Sequence, residues 1–221
     1  WYTKPRNTTQ KMHFFIPVNQ ITNVKDKGTW VLDIGFLFPE KNRSYEFLID
    51  EAEKVSSGSD GLLFLPYLAG ERTPHNDASA RGVFFGFHLG HTRGHMIRSV
   101  MEGVCFALRD SLELMRPFID RTPQIRAIGG GSNSALWCQM QADVFDSQVV
   151  TLAEGSGPAY GAAALAAVGI GMYNSVVEVT DHWVSIANEL DSDPVSVRRY
   201  NELYERYTLL YKSLKPRFDE S

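Results

Sequence analysis

The chain has 221 residues, enough to bury one large core or two small ones, and 43% hydrophobic with 22% charged residues is the composition of an ordinary globular protein. A net charge of −4 leaves no basic footprint, which speaks against nucleic acid and anionic membrane as partners. No apolar run nears the ~20 residues that a membrane-spanning helix requires. The start lacks the basic-then-apolar order of a signal peptide. Cys105 and Cys138 stand at neither a disulfide nor a metal spacing, so a reducing, cytoplasmic setting is expected.

In chain order, His13–Val18 reads as a strand, and Lys25–Phe38 is open between strand and helix. Ser44–Val55 is predicted to be a helix, with Ser44 as N-cap and acids in its first turns. Ser56–Gly61 is a turn cluster and Leu62–Leu65 a short apolar strand. Leu68–Gly82 is polar and turn-rich, and Val83–Phe87 reads as a buried strand. A long helix is predicted over Thr92–Arg116. Its apolar positions Ile97, Val100, Met101, Val104, Leu108, Leu112 and Met115 recur every three or four residues, and Pro117 stops it.

Beyond it, strands and helices alternate. Ile125–Ile128 is a strand, Gly129–Gly131 a turn, Ala135–Phe145 a helix and Val149–Leu152 a strand. Pro158–Val168 is an alanine-rich helix with proline in its first turn. Pro194–Leu214 is an amphipathic helix with Asp193 as N-cap. Val197, Tyr200, Leu203, Tyr204, Tyr207, Leu210 and Tyr211 form its stripe. Such alternation argues for an α/β layer fold.

Several groups of residues could carry chemistry. Ile125–Trp137, IRAIGGGSNSALW, runs from a strand through three glycines into a helix. Glycines admit close approach to the main chain, and the free N–H groups of a helix start attract phosphate or a polar base edge. The motif is neither a P-loop nor the dinucleotide fingerprint, and a plain strand-to-helix turn is the alternative. Glu154–Gly161, EGSGPAYG, offers a second glycine turn. Gly161 and the alanines after it suit tight helix packing, or the far wall of a cleft at the carboxyl ends of the strands. His88, His91 and His95 suggest a metal, but no cysteine or carboxylate supports them at a ligand spacing, so no metal site is assigned. Glu102 and Asp110 on the long helix are expected to be solvated or in a helix salt bridge. Glu71–Arg81, ERTPHNDASAR, is an irregular loop that either binds something or is pinned by its own hydrogen bonds.

Four stretches together resemble the FGGY family of carbohydrate kinases, and within it the xylulokinase branch. They are LPYLAGERTPHNDASARGVFFGF (Leu65–Phe87), RSVMEGVCFAL (Arg98–Leu108), IGGGSNSALWCQMQADVF (Ile128–Phe145) and GPAYGAAALA (Gly157–Ala166). The first forty residues match the family only loosely. The resemblance implies an actin-like ATPase, ribonuclease-H-like domain with a mixed sheet flanked by helices. It further implies that residues 1–221 are the C-terminal, nucleotide-binding domain of a two-domain kinase. The N-terminal domain would carry the Asp-x-Gly-Thr phosphate motif, the sugar contacts and the aspartate base, none of which is found here. ATP with Mg²⁺ is implied for the intact enzyme, with D-xylulose as the phosphoryl acceptor, and the isolated chain is expected to be inactive. Gluconate, ribulose or glycerol as acceptor, or a non-catalytic actin-like module, remain open. The nucleotide residues implied are Gly129, Gly130, Gly131, Ser132, Asn133 and Ser134, with Asn133 or Ser134 near the adenine. Glu71 and Arg72 are expected to line or brace the interdomain cleft. A homodimer could cover the face that the partner domain would otherwise meet.

Overall fold

A computed structural model describes residues 45–118, 124–153 and 158–220. The expected strand His13–Val18, the ambiguous Lys25–Phe38 and the N-cap Ser44 lie outside these. The chain divides into two units. One comprises residues up to Ala107 together with Glu205–Ser221, and the other is Leu108–Tyr204.

In the first unit, helix α1 (Tyr45–Glu53) buries Ile49 and Ala52 and ends in a turn through Gly58, whose φ is 87°. Strands β1 (Leu63–Leu65) and β2 (Val83–Phe85) pair antiparallel, with Leu63 opposite Phe85 and Leu65 opposite Val83. β1 is buried on both faces, as its run of apolar residues suggested. β2 is not the buried strand that the sequence suggested. Gly86, at φ 95°, ends it early, and Phe85 and Phe87 are about half exposed.

Helix α2 (Arg93–Met115) starts one residue later and stops one residue earlier than predicted. Five of the seven stripe residues are buried and Leu108 is half-buried, but Met115, in the last turn, is exposed. Thr92 and His95 form a cap of the Ser/Thr-x-x-Glu type with histidine in the glutamate's place, since the Thr92 N–H donates to His95 Nδ1 at 3.1 Å. Gly103 lets α2 lie directly on β1, because a Cβ there would overlap the Phe64 carbonyl oxygen.

The same stretch of α2 holds a buried ion pair. Arg98 Nε donates to Glu102 Oε1 at 2.9 Å, and Arg98 Nη1 reaches the carbonyl oxygens of Val55 at 2.8 Å and Ala52 at 3.3 Å. Val55 lies just past the end of α1, and the Ala52 carbonyl in its last turn also accepts from the Val55 N–H at 3.1 Å. Glu102 in turn accepts from the Gly58 N–H and the Ser59 hydroxyl, each at 2.7 Å. Burial pushes the Glu102 carboxyl up, and the guanidinium, the hydroxyl and the amide oppose that push. The salt-bridge expectation for Glu102 therefore holds, but solvation does not, since the side chain is buried.

The second unit contains a mixed three-stranded sheet in the order β3 (Ile125–Ala127), β4 (Val149–Leu152), β5 (Ile186–Leu190). β3 and β4 are parallel, with Ala127 opposite Thr151, and β4 and β5 are antiparallel. Helix α3 (Ala135–Phe145) packs on this sheet through Cys138 and Ala142 against Ala127 and Val149. Helices α4 (Pro158–Gly169) and α5 (Val176–Trp183) follow, and Ser175 caps α5 by accepting from the Glu178 N–H. Neither α5 nor β5 was read from the sequence. Helix α6 (Pro194–Asp219) runs five residues beyond its predicted end, through Pro216 in its last turn. Asp193 caps it as expected, accepting from the Ser196 N–H at 2.9 Å. Every stripe residue of α6 is buried except Tyr204, which is half-buried and donates to Asp110 at 2.6 Å. Asp110 is thus buried and bonded, not solvated. No helix among the described residues is long and apolar enough to cross a membrane.

The Arg98–Glu102 pair yields a prediction for stability. Glu102→Ala leaves a buried guanidinium without its carboxylate and is expected to cost about 3–5 kcal/mol. A urea titration of the 221-residue chain checks it, with a lower midpoint and an unchanged slope as the expected outcome.

Candidate functional site

The glycine turn leaves the carboxyl end of β3. Ala127 is buried beneath the sheet's covering helix, Ile128 is half exposed, and Gly129 has φ 82° and ψ −167°, which a side chain would resist. One 3₁₀ turn, Gly130–Asn133, connects it to α3. Ser132 closes this turn, its hydroxyl donating to the Gly129 carbonyl at 2.7 Å. Ser134 is buried and caps α3, its Oγ accepting from the Trp137 N–H at 3.2 Å. Beneath the turn, the Cys138 thiol donates weakly to the Ser132 carbonyl at 3.6 Å, and burial pushes this thiol's pKa up.

The upper side of the turn is open. A Cβ built on Gly129 or Gly130 meets nothing within 4 Å among the described residues, whereas one on Gly131 meets Trp137 Nε1 at 3.2 Å. Among the described residues, the N–H groups of Gly130 and Gly131 donate to no acceptor. Gly129, Gly130 and Asn133 are exposed, Gly131 and Ser132 half-buried. The turn therefore presents unspent donors over a fixed floor, as an anion or a polar base edge requires. β4 ends on the same side as β3 because the two are parallel. Glu154–Gly157, the front of the second glycine motif, lie outside the described residues. Gly161 does lie within them; of the close helix packing expected of it and the alanines after it, α4 does pack on α5 and buries Ala164 and Ala167, but Gly161 itself makes no close contact among the described residues. It is exposed, and a Cβ on it would meet nothing within 4 Å among the described residues.

The loop between β1 and β2 is pinned by itself and by α6. Glu71 accepts from the N–H groups of Thr73 and His75 at 2.6 and 2.8 Å, and Glu71 and Asp77 exchange backbone hydrogen bonds. Asp77 is buried, accepting from the N–H groups of Ser79 and Ala80 and from the Tyr211 hydroxyl at 2.7 Å. His75 stacks on the Tyr211 ring, with centroids 3.7 Å apart. The internal pinning expected of this loop is present in these bonds. Desolvation pushes the Glu71 carboxyl up, against the amides of His75 and Thr73. Arg72 is exposed.

His88, His91 and His95 do come together, with ring centroids 3.8 and 5.2 Å apart along the series. Asp60, from the turn before β1, joins them, its Oδ2 lying 3.1 Å from His88 Nε2. No spacing in the sequence linked Asp60 to this group, because the β1–β2 pairing brings it there.

Solved sugar kinases share this architecture. A ligand-bound xylulose kinase from Lactobacillus acidophilus superposes with a TM-score of 0.75 at 29% identity, over 85% of this chain and 38% of its own. A gluconate kinase from the same organism gives 0.75 at 28% identity, over 84% of this chain and 39% of its own. The chain is thus an α/β domain of the actin-like ATPase fold. The model of the FGGY family of carbohydrate kinases, C-terminal domain, matches residues 10–170, and the chain belongs to that family. It is 40% identical over 174 residues to a xylulose kinase from Bacillus subtilis, covering 79% of this chain and 35% of that protein. A gluconokinase from the same species is 39% identical over 138 residues, covering 62% of this chain and 27% of that protein. The chain therefore spans about a third of the length of the curated relatives it matches.

The Asp77 cluster predicts a pH dependence. Burial alone would raise the Asp77 pKa, but the Tyr211 hydroxyl, the Ser79 amide and the Lys215 ammonium hold it below its ordinary value of 3.8. A depressed carboxyl contributes stability that is full above that ordinary value and lost as pH falls through the folded one. Tyr211→Phe is expected to destabilise the chain by about 1–3 kcal/mol near neutral pH. The gap between variant and parent should close below pH 3.8, and denaturant titrations across the acid limb check this.

Proposed function

We propose that this chain is the nucleotide-binding part of an ATP-dependent sugar kinase whose acceptor is a ketopentose such as D-xylulose. The observation that supports this best is the exposed Gly129–Gly131 turn, whose Gly130 and Gly131 N–H groups are unspent among the described residues. Membership of a carbohydrate kinase family supports a nucleotide as the ligand of such a turn. The residues fit a nucleotide, since a Cβ on Gly129 or Gly130 would meet no described atom within 4 Å and the Gly130 and Gly131 N–H groups donate to no described acceptor. Gly130 and Gly131 would donate to phosphate oxygens, while Ser132 holds the turn's shape through Gly129. Ser134 is committed to the α3 cap and buried, so Asn133, which is exposed, is the residue proposed to meet the adenine edge. When bound, ATP supplies the phosphoryl group. Mg²⁺ would be held through its phosphates, because the turn carries no carboxylate.

This chain's share of the reaction is positioning and charge stabilisation, which is most of what phosphoryl transfer asks of a protein. The turn itself, Gly129–Ser134, carries no carboxylate to accept a sugar hydroxyl proton. Glu71 spends its oxygens inside its own loop, Asp77 is held by that loop and by Tyr211 of α6, and Asp110 is tied to Tyr204. We therefore propose that the 221 residues alone do not turn over sugar. The similarity to gluconokinases keeps gluconate as the second acceptor to assay.

Two measurements check the reading. Calorimetry with Mg-ADP should show weak binding by the parent chain and none by Gly130→Val. At Gly130 a Cβ has space and no positive φ, so circular dichroism should be unchanged in the variant. Equal binding by both proteins removes the turn from the site. A coupled assay with Mg-ATP and D-xylulose or gluconate should show no sugar-dependent ADP release.

A further inference from the structure

Three imidazoles meet where the chain leaves β2 and enters α2, and each receives a backbone hydrogen bond at the same ring nitrogen. His88 Nδ1 accepts from the Gly90 N–H at 3.0 Å, His91 Nδ1 from the His88 N–H at 3.1 Å, and His95 Nδ1 from the Thr92 N–H at 3.1 Å. A backbone N–H can only donate, so each of these Nδ1 atoms is unprotonated, and the neutral ring carries its hydrogen on Nε2. His88 Nε2 then donates to Asp60 Oδ2. His91 Nε2 is buried and has no partner among the described residues. This polarity is the reverse of a metal site's. A metal-bound imidazole donates from its second nitrogen, and here that nitrogen is an acceptor, although Asp60, His88 and His91 lie close enough to invite a metal.

We propose that Thr92–His95 is an acid-sensitive latch, in which a proton added to the His95 ring displaces the backbone bond that closes the entry into α2. On His95 the proton has only Nδ1 to occupy, so protonation breaks the bond received from the Thr92 N–H and leaves the Thr92 hydroxyl, 2.9 Å from Nδ1, as the acceptor. The helix start would lose its capped amide and gain a cation at the positive end of a helix dipole. Burial, and the neighbouring His91 and His88, hold the His95 pKa below its ordinary 6.5, while Asp60 pulls the other way. The remaining charges nearby offer little relief. Arg93, at the start of α2, is itself a cation, and the Glu51 carboxylate on α1 is engaged by Arg93 Nε and Nη2, both at 2.6 Å. For a depressed histidine, the stabilisation is full above 6.5 and is lost as pH falls below it. The entry of α2 lies directly on α1, since a Cβ on Gly94 would stand 2.5 Å from the Glu51 carbonyl oxygen. Opening the latch therefore loosens that contact first.

Hydrogen exchange on the full chain, corrected for intrinsic rates, tests the proposal at pH values about one unit above and one below 6.5. The Thr92 amide should lose about tenfold or more in protection at the lower pH. Amides of β3 and β4 should not. Ring nitrogen shifts should show the Nε2–H tautomer at neutral pH. His95→Gln keeps an acceptor for the Thr92 N–H without titrating, and should keep Thr92 protected at the lower pH. Nδ1–H tautomers, protection equal at both pH values, or a His95→Gln variant that loses Thr92 protection as the parent does would each overturn the latch. If that variant fails to fold, the parent's tautomers and exchange decide alone.

Discussion

The first unit depends on one buried ion pair. Taking Arg98 and Glu102 out of water is costly, and their mutual attraction alone would not offset it. The cost is offset because each charged group also bonds to backbone at the end of α1 or in the turn after it. The guanidinium donates to the Ala52 and Val55 carbonyls, and the carboxylate accepts from the amide and hydroxyl of a turn bent through Gly58. The pair thereby fixes α1, the turn and α2 to one another. Only with α2 held there can Gly103 accept the Phe64 carbonyl against its backbone. An apolar pair of equal volume would bury as well but would satisfy none of these groups.

The glycine turn works the other way. Its floor is specified closely. Ser132 bonds back to Gly129, Ser134 caps α3, and Cys138 and Ala142 seat that helix on β3 and β4. Its top is left without side chains. A site needs donors held still by packing beneath them and free above. In the second unit both are met within a few residues, because the strand, the turn and the helix are consecutive in the chain.

The loop between β1 and β2 shows how a dense run of polar residues can serve its own backbone. Its Glu71 and Asp77 look like candidate acids, yet each is used up within the loop or by Tyr211. Tyr211 arrives from α6, at the far end of the sequence, and His75 stacks on it. The polarity serves to hold an irregular backbone, whose amides have no strand or helix to satisfy them.

What the sequence determined by itself is whatever depends on near neighbours. The period of α2 and α6, the Asp193 cap, the strand–glycine–helix passage at Ile125–Phe145 and the family resemblance all rest on residues a few positions apart. Even α5 carried such a signal, in Ser175 followed by Glu178, although it was not read. Tertiary structure decided the rest. β5, Ile186–Leu190, has no alternating pattern and is largely exposed, so it exists as a strand only because β4 pairs with it. β2 looked buried from its composition, but Gly86 ends it early and leaves Phe85 and Phe87 exposed. The burial of Glu102 and Asp110 and the arrival of Asp60 beside His88 likewise depend on partners distant in the chain. Local hydrogen bonding and side-chain period are written in the order of the residues. Burial and long-range pairing are settled only when surfaces meet.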